Sequence, residues 1–118
     1  MSINEYIEID DCWVGIVDSE FYIGIKSSVI SELGDITFVD QIPMGKVISK
    51  GGVIGIIESS KKGDWPLKSP ITGQVNKYNT KLNKKPELVC DGPEGEGWII
   101  RCTIPGINSL AELGETEK

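Results

Sequence analysis

The chain has no histidine and a single arginine, Arg101, among its 118 residues. Lack of histidine removes the commonest general base and the commonest metal ligand together. Triad hydrolysis of the Ser/His or Cys/His kind is thereby excluded. The cysteines, Cys12, Cys90 and Cys102, are three in number and lack CxxC spacing. Such usage suggests reduced, buried or half-buried thiols in a cytoplasmic setting. No apolar run approaches the ~20 residues of a membrane-spanning helix. Residues 1–11 are acidic and do not follow a charged-then-apolar leader pattern. Positive charge is also short: the net charge is −6, so nucleic-acid binding through a basic face is not expected. Gly51-Gly52-x-x-Gly55 does not have the spacing of a dinucleotide fingerprint, and no GxxxxGK[ST] loop occurs. No spacing argues for a metal site. The acidic pairs Asp10-Asp11 and Glu94 with Glu96 fall in turn-like segments and read as solvated loops.

What remains is the signature of a β protein. Fourteen glycines and six prolines are spread along the chain, and the hydrophobic content is an ordinary 39%. Frequent turns between short elements follow, in one domain over 1–118. Residues 13–17 and 21–26 read as a hairpin around Asp18-Ser19-Glu20, with Phe21, Ile23 and Ile25 on one face. Ser27-Ser28 offers a helix cap, and Gly34 stops that helix. Residues 35–42 alternate, with Ile36 and Phe38 expected on one side. Pro43-Met44-Gly45 and Lys50-Gly51-Gly52 bracket a short strand at 46–48. The nearly continuous apolar run 53–59 reads as a central strand buried on both faces. Strands at 65–68 and 71–78 follow, then a polar connection at 81–86 and a glycine-rich turn at 92–97. The last strand, 98–104, is expected to align Trp98, Ile100, Cys102 and Ile104 on one face. Ser109-x-x-Glu112 is a capping-box signature for a closing helix that ends at Gly114. Residues 115–118 are expected to fray. About seven strands and two short helices (28–33 and 109–113) make a compact β sandwich or flattened barrel. Trp13 and Trp98 read as packing residues, and Cys90 and Cys102 as small apolar fillers; Trp65 either shields the nearby lysine or covers a hairpin base, and packing is the preferred reading.

One break between strands stands out: Ile57-Glu58-Ser59-Ser60-Lys61-Lys62-Gly63. An alkyl amine with an ordinary pKa of about 10.4 is a poor catalyst by itself. At the tip of a turn it is an accessible attachment point for another enzyme. On local sequence alone, a pair of lysines solubilising a turn is the commoner reading.

Further residues change that balance. They are Cys12-Trp13-Val14, Leu33-Gly34-Asp35-Ile36-Thr37-Phe38-Val39, Ile57-Glu58-Ser59-Ser60-Lys61 and Ser69-Pro70-Ile71-Thr72-Gly73-Gln74-Val75-Asn76. Pro86-Glu87-Leu88-Val89 and Gly95-Glu96-Gly97-Trp98-Ile99 complete the set. In order and approximate separation, along nearly the whole chain, these resemble the H protein of the glycine cleavage system, a lipoyl carrier family. The resemblance implies a lipoyl/biotinyl-type hybrid barrel-sandwich and a lipoic acid in amide linkage to Lys61. It implies a role for Glu58 in recognition by the lipoate-attaching enzyme. It matches Gly51, and Gly73 in the facing strand, to glycines that shape the hairpin. It also implies a non-catalytic carrier whose arm serves glycine decarboxylase, a folate-dependent aminomethyltransferase and dihydrolipoamide dehydrogenase. Two departures stand out. The family's histidine-tryptophan pair is Cys12-Trp13 here, and the valine and alanine that usually flank the lysine are Ser60 and Lys62. Counting forward from Glu58 gives Lys61, whereas counting back from Ser69-Pro70 gives Lys62. An extra residue therefore sits in the turn, and Lys61 is preferred because Gly63 absorbs the lengthening. An H-like carrier for another pathway, or an unmodified β domain acting as an interaction module, are the alternatives.

Overall fold

The computed structural model describes residues 3–41 and 46–116. The expected turn at Pro43-Met44-Gly45 and the end of the run at Ile42 lie outside the described residues, as does the last part of the expected frayed tail.

Two antiparallel sheets enclose the core. The larger runs in the order β1 (Tyr6–Ile9), β2 (Cys12–Val17), β3 (Glu20–Ile25), β9 (Trp98–Thr103), β8 (Gly73–Tyr78), β5 (Val47–Ile48). The smaller holds β4 (Ile36–Gln41), β6 (Val53–Ser59) and β7 (Gly63–Lys68), with β6 in the centre. Helix α1 (Ser27–Leu33) connects the first sheet to the second, and α2 (Leu110–Thr116) follows β9.

Period-2 alternation builds the large sheet. In β3, Phe21, Ile23 and Ile25 point into the main core, while Tyr22 points outward into a second cluster with Ile3, Trp13 and Trp98. The hairpin between β2 and β3 turns on Asp18 and Ser19, both at positive φ (50° and 65°). That geometry suits the right-handed twist of the strands. Strand β1 was not expected from the sequence. It pairs with β2 across Asp10-Asp11, with Ile7 and Ile9 turned toward the core. Each fully buried isoleucine, such as Ile54 or Ile57, contributes ~1.5–3 kcal/mol over the exposed side chain.

Several expectations are corrected. A β-bulge at Thr37 separates the pairs Ile36–Ser59 and Phe38–Glu58. Ile36 is therefore buried and Phe38 is 45% exposed, on opposite faces rather than one. β6 is central, yet its outer face is open: Val53 and Glu58 are exposed. A bulge between Val53 and Gly55 shifts its register with β7. Trp98 leaves the row of Ile100 and Cys102, because the β3–β9 register shifts between Ile23 and Gly24. The strand expected from residue 71 begins at Gly73. Ser27-Ser28 form no side-chain cap; the cap position is Lys26, without a side-chain hydrogen bond. The polar connection expected at 81–86 holds a 3-10 turn, Thr80–Asn83, and a second 3-10 segment, Pro86–Glu94, runs from its end into the expected glycine-rich turn. The capping box forms: Ser109 Oγ accepts from the Glu112 N–H at 3.1 Å and donates to its carboxylate at 3.1 Å. Gly114 does not stop α2, which continues to Thr116. Cys12 and Cys102 are buried, whereas Cys90 is exposed and not a core filler.

Candidate functional site

β6 and β7 pair from Ser59–Gly63 down to Val53–Lys68, leaving Ser60, Lys61 and Lys62 as a three-residue reversal. Gly63 closes it at φ +65°, the left-handed region that glycine enters at low cost. Within the loop, Ser59 Oγ accepts the Lys62 N–H at 3.2 Å and donates to the Gly63 carbonyl at 3.1 Å. Residues 60–64 are all exposed, so the reversal is convex. A cleft that could exclude water from a reaction is not formed there.

The tip is nevertheless fastened to the body. The Lys61 N–H donates to the Leu33 carbonyl at 3.0 Å, and the Ser60 N–H to the Asp35 carbonyl at 2.9 Å. In return the Asp35 N–H donates to Ser60 Oγ at 3.0 Å. Between these contacts lies Gly34, at φ +79°. A Cβ on Gly34 would stand 2.6 Å from Ser60 Oγ, and 3.0 and 3.3 Å from Lys61 Cγ and Cδ. The stem of Lys61 thus crosses the glycine that ends α1, while the residue as a whole remains exposed. Lys62 is exposed too, and its backbone N–H is held within the hairpin by Ser59.

Around the lysines the charge is negative. Glu58 and Asp64 face each other across β6 and β7, with Phe38 beside Glu58 on β4. Like charges set directly opposite repel, so this pair does not serve stability. Asp40 and Ile56 form the next row with Pro66. Pro66 is tolerated because β7 is an edge strand. Trp65 packs half-buried against the core at the hairpin, as expected.

The two glycines singled out from the sequence lie elsewhere. Gly51 sits at the base of the hairpin, at φ +85°, its N–H donating to the Ser69 carbonyl at 2.8 Å. Gly73 is in β8 of the other sheet, paired with Ile48, and does not face the lysine strand. Its role is close approach, since a Cβ there would lie 3.0 Å from the Thr103 carbonyl oxygen. The structure brings Glu58, Lys61 and Lys62 together and leaves both glycines apart. Conversely, the contribution of Leu33, Gly34 and Asp35 to the tip was not visible as a site. Their run carried part of the resemblance, but no local pattern announces a hydrogen bond to a distant turn.

Burial pushes the Cys12 thiol up to about 12, with Asp11 and Asp10 adding to the effect, and the Cys102 thiol likewise to about 12. Neither is a nucleophile at neutral pH. Among the described residues no group of three or more Cys, Asp or Glu side chains could hold a metal ion.

A family model described as glycine cleavage H-protein matches residues 4–118. The glycine cleavage system H protein of Thermotoga maritima is 34% identical over 113 residues, covering 96% of this chain and 90% of that one. Its counterpart from Dinoroseobacter shibae is 30% identical over 112 residues, covering 95% and 91%. The crystal structure of a glycine cleavage system H protein from Mycobacterium marinum covers all of both chains at 24% identity, with a TM-score of 0.75. That likeness bears on the fold, and it agrees with the sheets described above. The chain belongs to the glycine cleavage H-protein family.

Proposed function

We propose that Lys61 is the attachment point of a lipoyl group in amide linkage, and that the chain acts as the lipoyl carrier of glycine cleavage. The observation that carries this is an exposed amine on a convex reversal whose backbone is pinned to the Leu33-Gly34-Asp35 corner. An acylating enzyme needs both properties: reach to the amine, and a turn that keeps its shape on docking. Lys61 is favoured over Lys62 because its N–H is tied to the body and its stem is aimed by Gly34. Glu58, three residues before it, stands exposed on β6, the strand that leads into the turn.

The dithiolane of such an arm supplies the redox and group-accepting chemistry, which the side chains of a histidine-free chain do not. The protein's own part is presentation. The turn holds the tether at one end of the small sheet, and the tether raises its local concentration at each enzyme in turn. Glu58 and Asp64 flank the lysine with negative charge, and exposed Phe38 adds an apolar contact, which suits transient docking on basic surfaces. The partners so implied are a lipoate-attaching enzyme, glycine decarboxylase, an aminomethyltransferase and dihydrolipoamide dehydrogenase. The carrier catalyses none of their reactions.

The test is a glycine-dependent aminomethylation assay, with the lipoylated protein, glycine and glycine decarboxylase, followed by mass spectrometry. An aminomethyl adduct on the protein is expected with glycine and absent without it. A fully lipoylated protein that gains no adduct from glycine contradicts the glycine-cleavage reading and points to a carrier for another pathway.

A further inference from the structure

At the end of the molecule away from Lys61, positive charge collects on an otherwise acidic chain. Lys77, Lys81, Lys84 and Lys85 are all exposed; the first is near the end of β8, the second in the 3-10 turn Thr80–Asn83, and the last two form the link to the 3-10 turn Pro86–Glu94. They border two adjoining grooves of about 200 and about 400 Å³ that share Lys81 and Glu96. Lys81 Nζ pairs with Glu96 Oε1 at 3.1 Å, so this lysine is engaged. Among the described residues no carboxylate pairs with Lys84 or Lys85. The grooves also carry apolar surface: half-buried Leu88 lines one, and Trp98 lines the other. The indole N–H of Trp98 has no acceptor among the described residues.

The site's position matters. The groove lies by the Gln41 end of β4, where Gln41 Nε2 donates to the Ile99 carbonyl at 3.0 Å. The lysine turn is at the other end, where Ile36 pairs with Ser59. The length of β4, from Ile36 to Gln41, separates them by ~17 Å. A macromolecule held at the groove would leave the turn uncovered.

We propose that this groove docks an extended acidic segment of a partner protein, its carboxylates on Lys84 and Lys85 and an apolar side chain against Leu88. A small anion would meet only exposed, solvent-screened charges, each worth little alone. A segment spanning the groove meets several at once and buries apolar surface as well. A nucleic acid would meet, beyond these few lysines, an acidic body: the net charge of the chain is −6 even with them counted. The inference does not depend on which lysine, if either, carries a lipoyl group.

The test is titration of the full, isotope-labelled chain with a synthetic peptide of alternating Glu and Leu, read by amide chemical shifts at low and high salt. Inorganic phosphate and a single-stranded RNA oligonucleotide run as separate probes. Shifts confined to residues 77–98 are expected, weakening with salt. Lys84→Glu/Lys85→Glu is expected to weaken the peptide about tenfold or more. The control Lys46→Glu/Lys68→Glu, with the same change of charge, is expected to leave binding within about twofold of the parent, since neither residue lines the groove. The proposal is overturned by any of four results: no binding at millimolar peptide, shifts centred elsewhere, equal binding by both double variants, or tighter binding by phosphate or RNA than by the peptide.

Discussion

Gly34 is the residue on which the geometry of the lysine turn depends most. Its φ of +79° disfavours any side chain, and a Cβ would crowd Ser60 Oγ at 2.6 Å. Gly63 has a similar φ of +65° but open space around its Cβ position. Gly34→Ala is therefore expected to cost ~2–3 kcal/mol in urea denaturation and Gly63→Ala ~1–2 kcal/mol. Equal losses would mean that the contact with the turn contributes nothing. The thiols make a second prediction at this scale. Cys90 is exposed, whereas Cys12 and Cys102 are buried. One thiol of three is expected to react with a disulfide reagent in the native protein, and all three in denaturant. Because folding raises the two buried thiols to about 12, the folded chain keeps protons that the unfolded chain releases above its own thiol pKa, near 9. Stability should therefore be unaffected by these groups below about pH 9. Above it, stability should fall as pH rises toward about 12, by at most ~1.4 kcal/mol per pH unit per thiol.

At the scale of elements, the central device is the junction of α1, β4 and the β6–β7 reversal. Ser60 Oγ accepts the Asp35 N–H, so Ser60→Ala leaves that donor to water and is expected to cost ~1 kcal/mol. Faster amide hydrogen exchange at residues 60–62 should accompany the loss. α2 offers an independent check, because its capping box is formed by Ser109 and Glu112. Ser109→Ala should cost ~1 kcal/mol and loosen Leu113 from the core. What the sequence disclosed follows the same division. Period-2 alternation revealed the β2–β3 hairpin and its inward face, and the capping box revealed α2. The bulges at Thr37 and between Val53 and Gly55 were invisible, since one extra residue reverses every face beyond it and leaves no compositional mark. Hence simple alternation puts Phe38 on the same side as Ile36, and the apolar run of β6 suggests burial on both faces. The anchor from Leu33 to Lys61 was hidden for another reason: it is a backbone hydrogen bond between distant segments, to which side-chain identity contributes only through Gly34.

For the whole molecule, a stable β body carries one convex, acid-flanked lysine turn at the end of its small sheet. The body's contribution is to keep that turn in place while different enzymes approach. Removing core volume should therefore impair the carrier only by unfolding it. Ile57→Ala, fully buried in β6, is expected to cost ~2–5 kcal/mol while folded protein remains a substrate for acylation. The central claim is that the amine of Lys61 is acylated. Intact-mass spectrometry of protein coexpressed with a lipoate ligase tests it most directly, on the parent chain and the Lys61→Arg and Lys62→Arg variants. A gain of one lipoyl unit is expected in the parent and in Lys62→Arg, and none in Lys61→Arg. A modified Lys61→Arg variant, or a parent chain that never gains the unit, would contradict it.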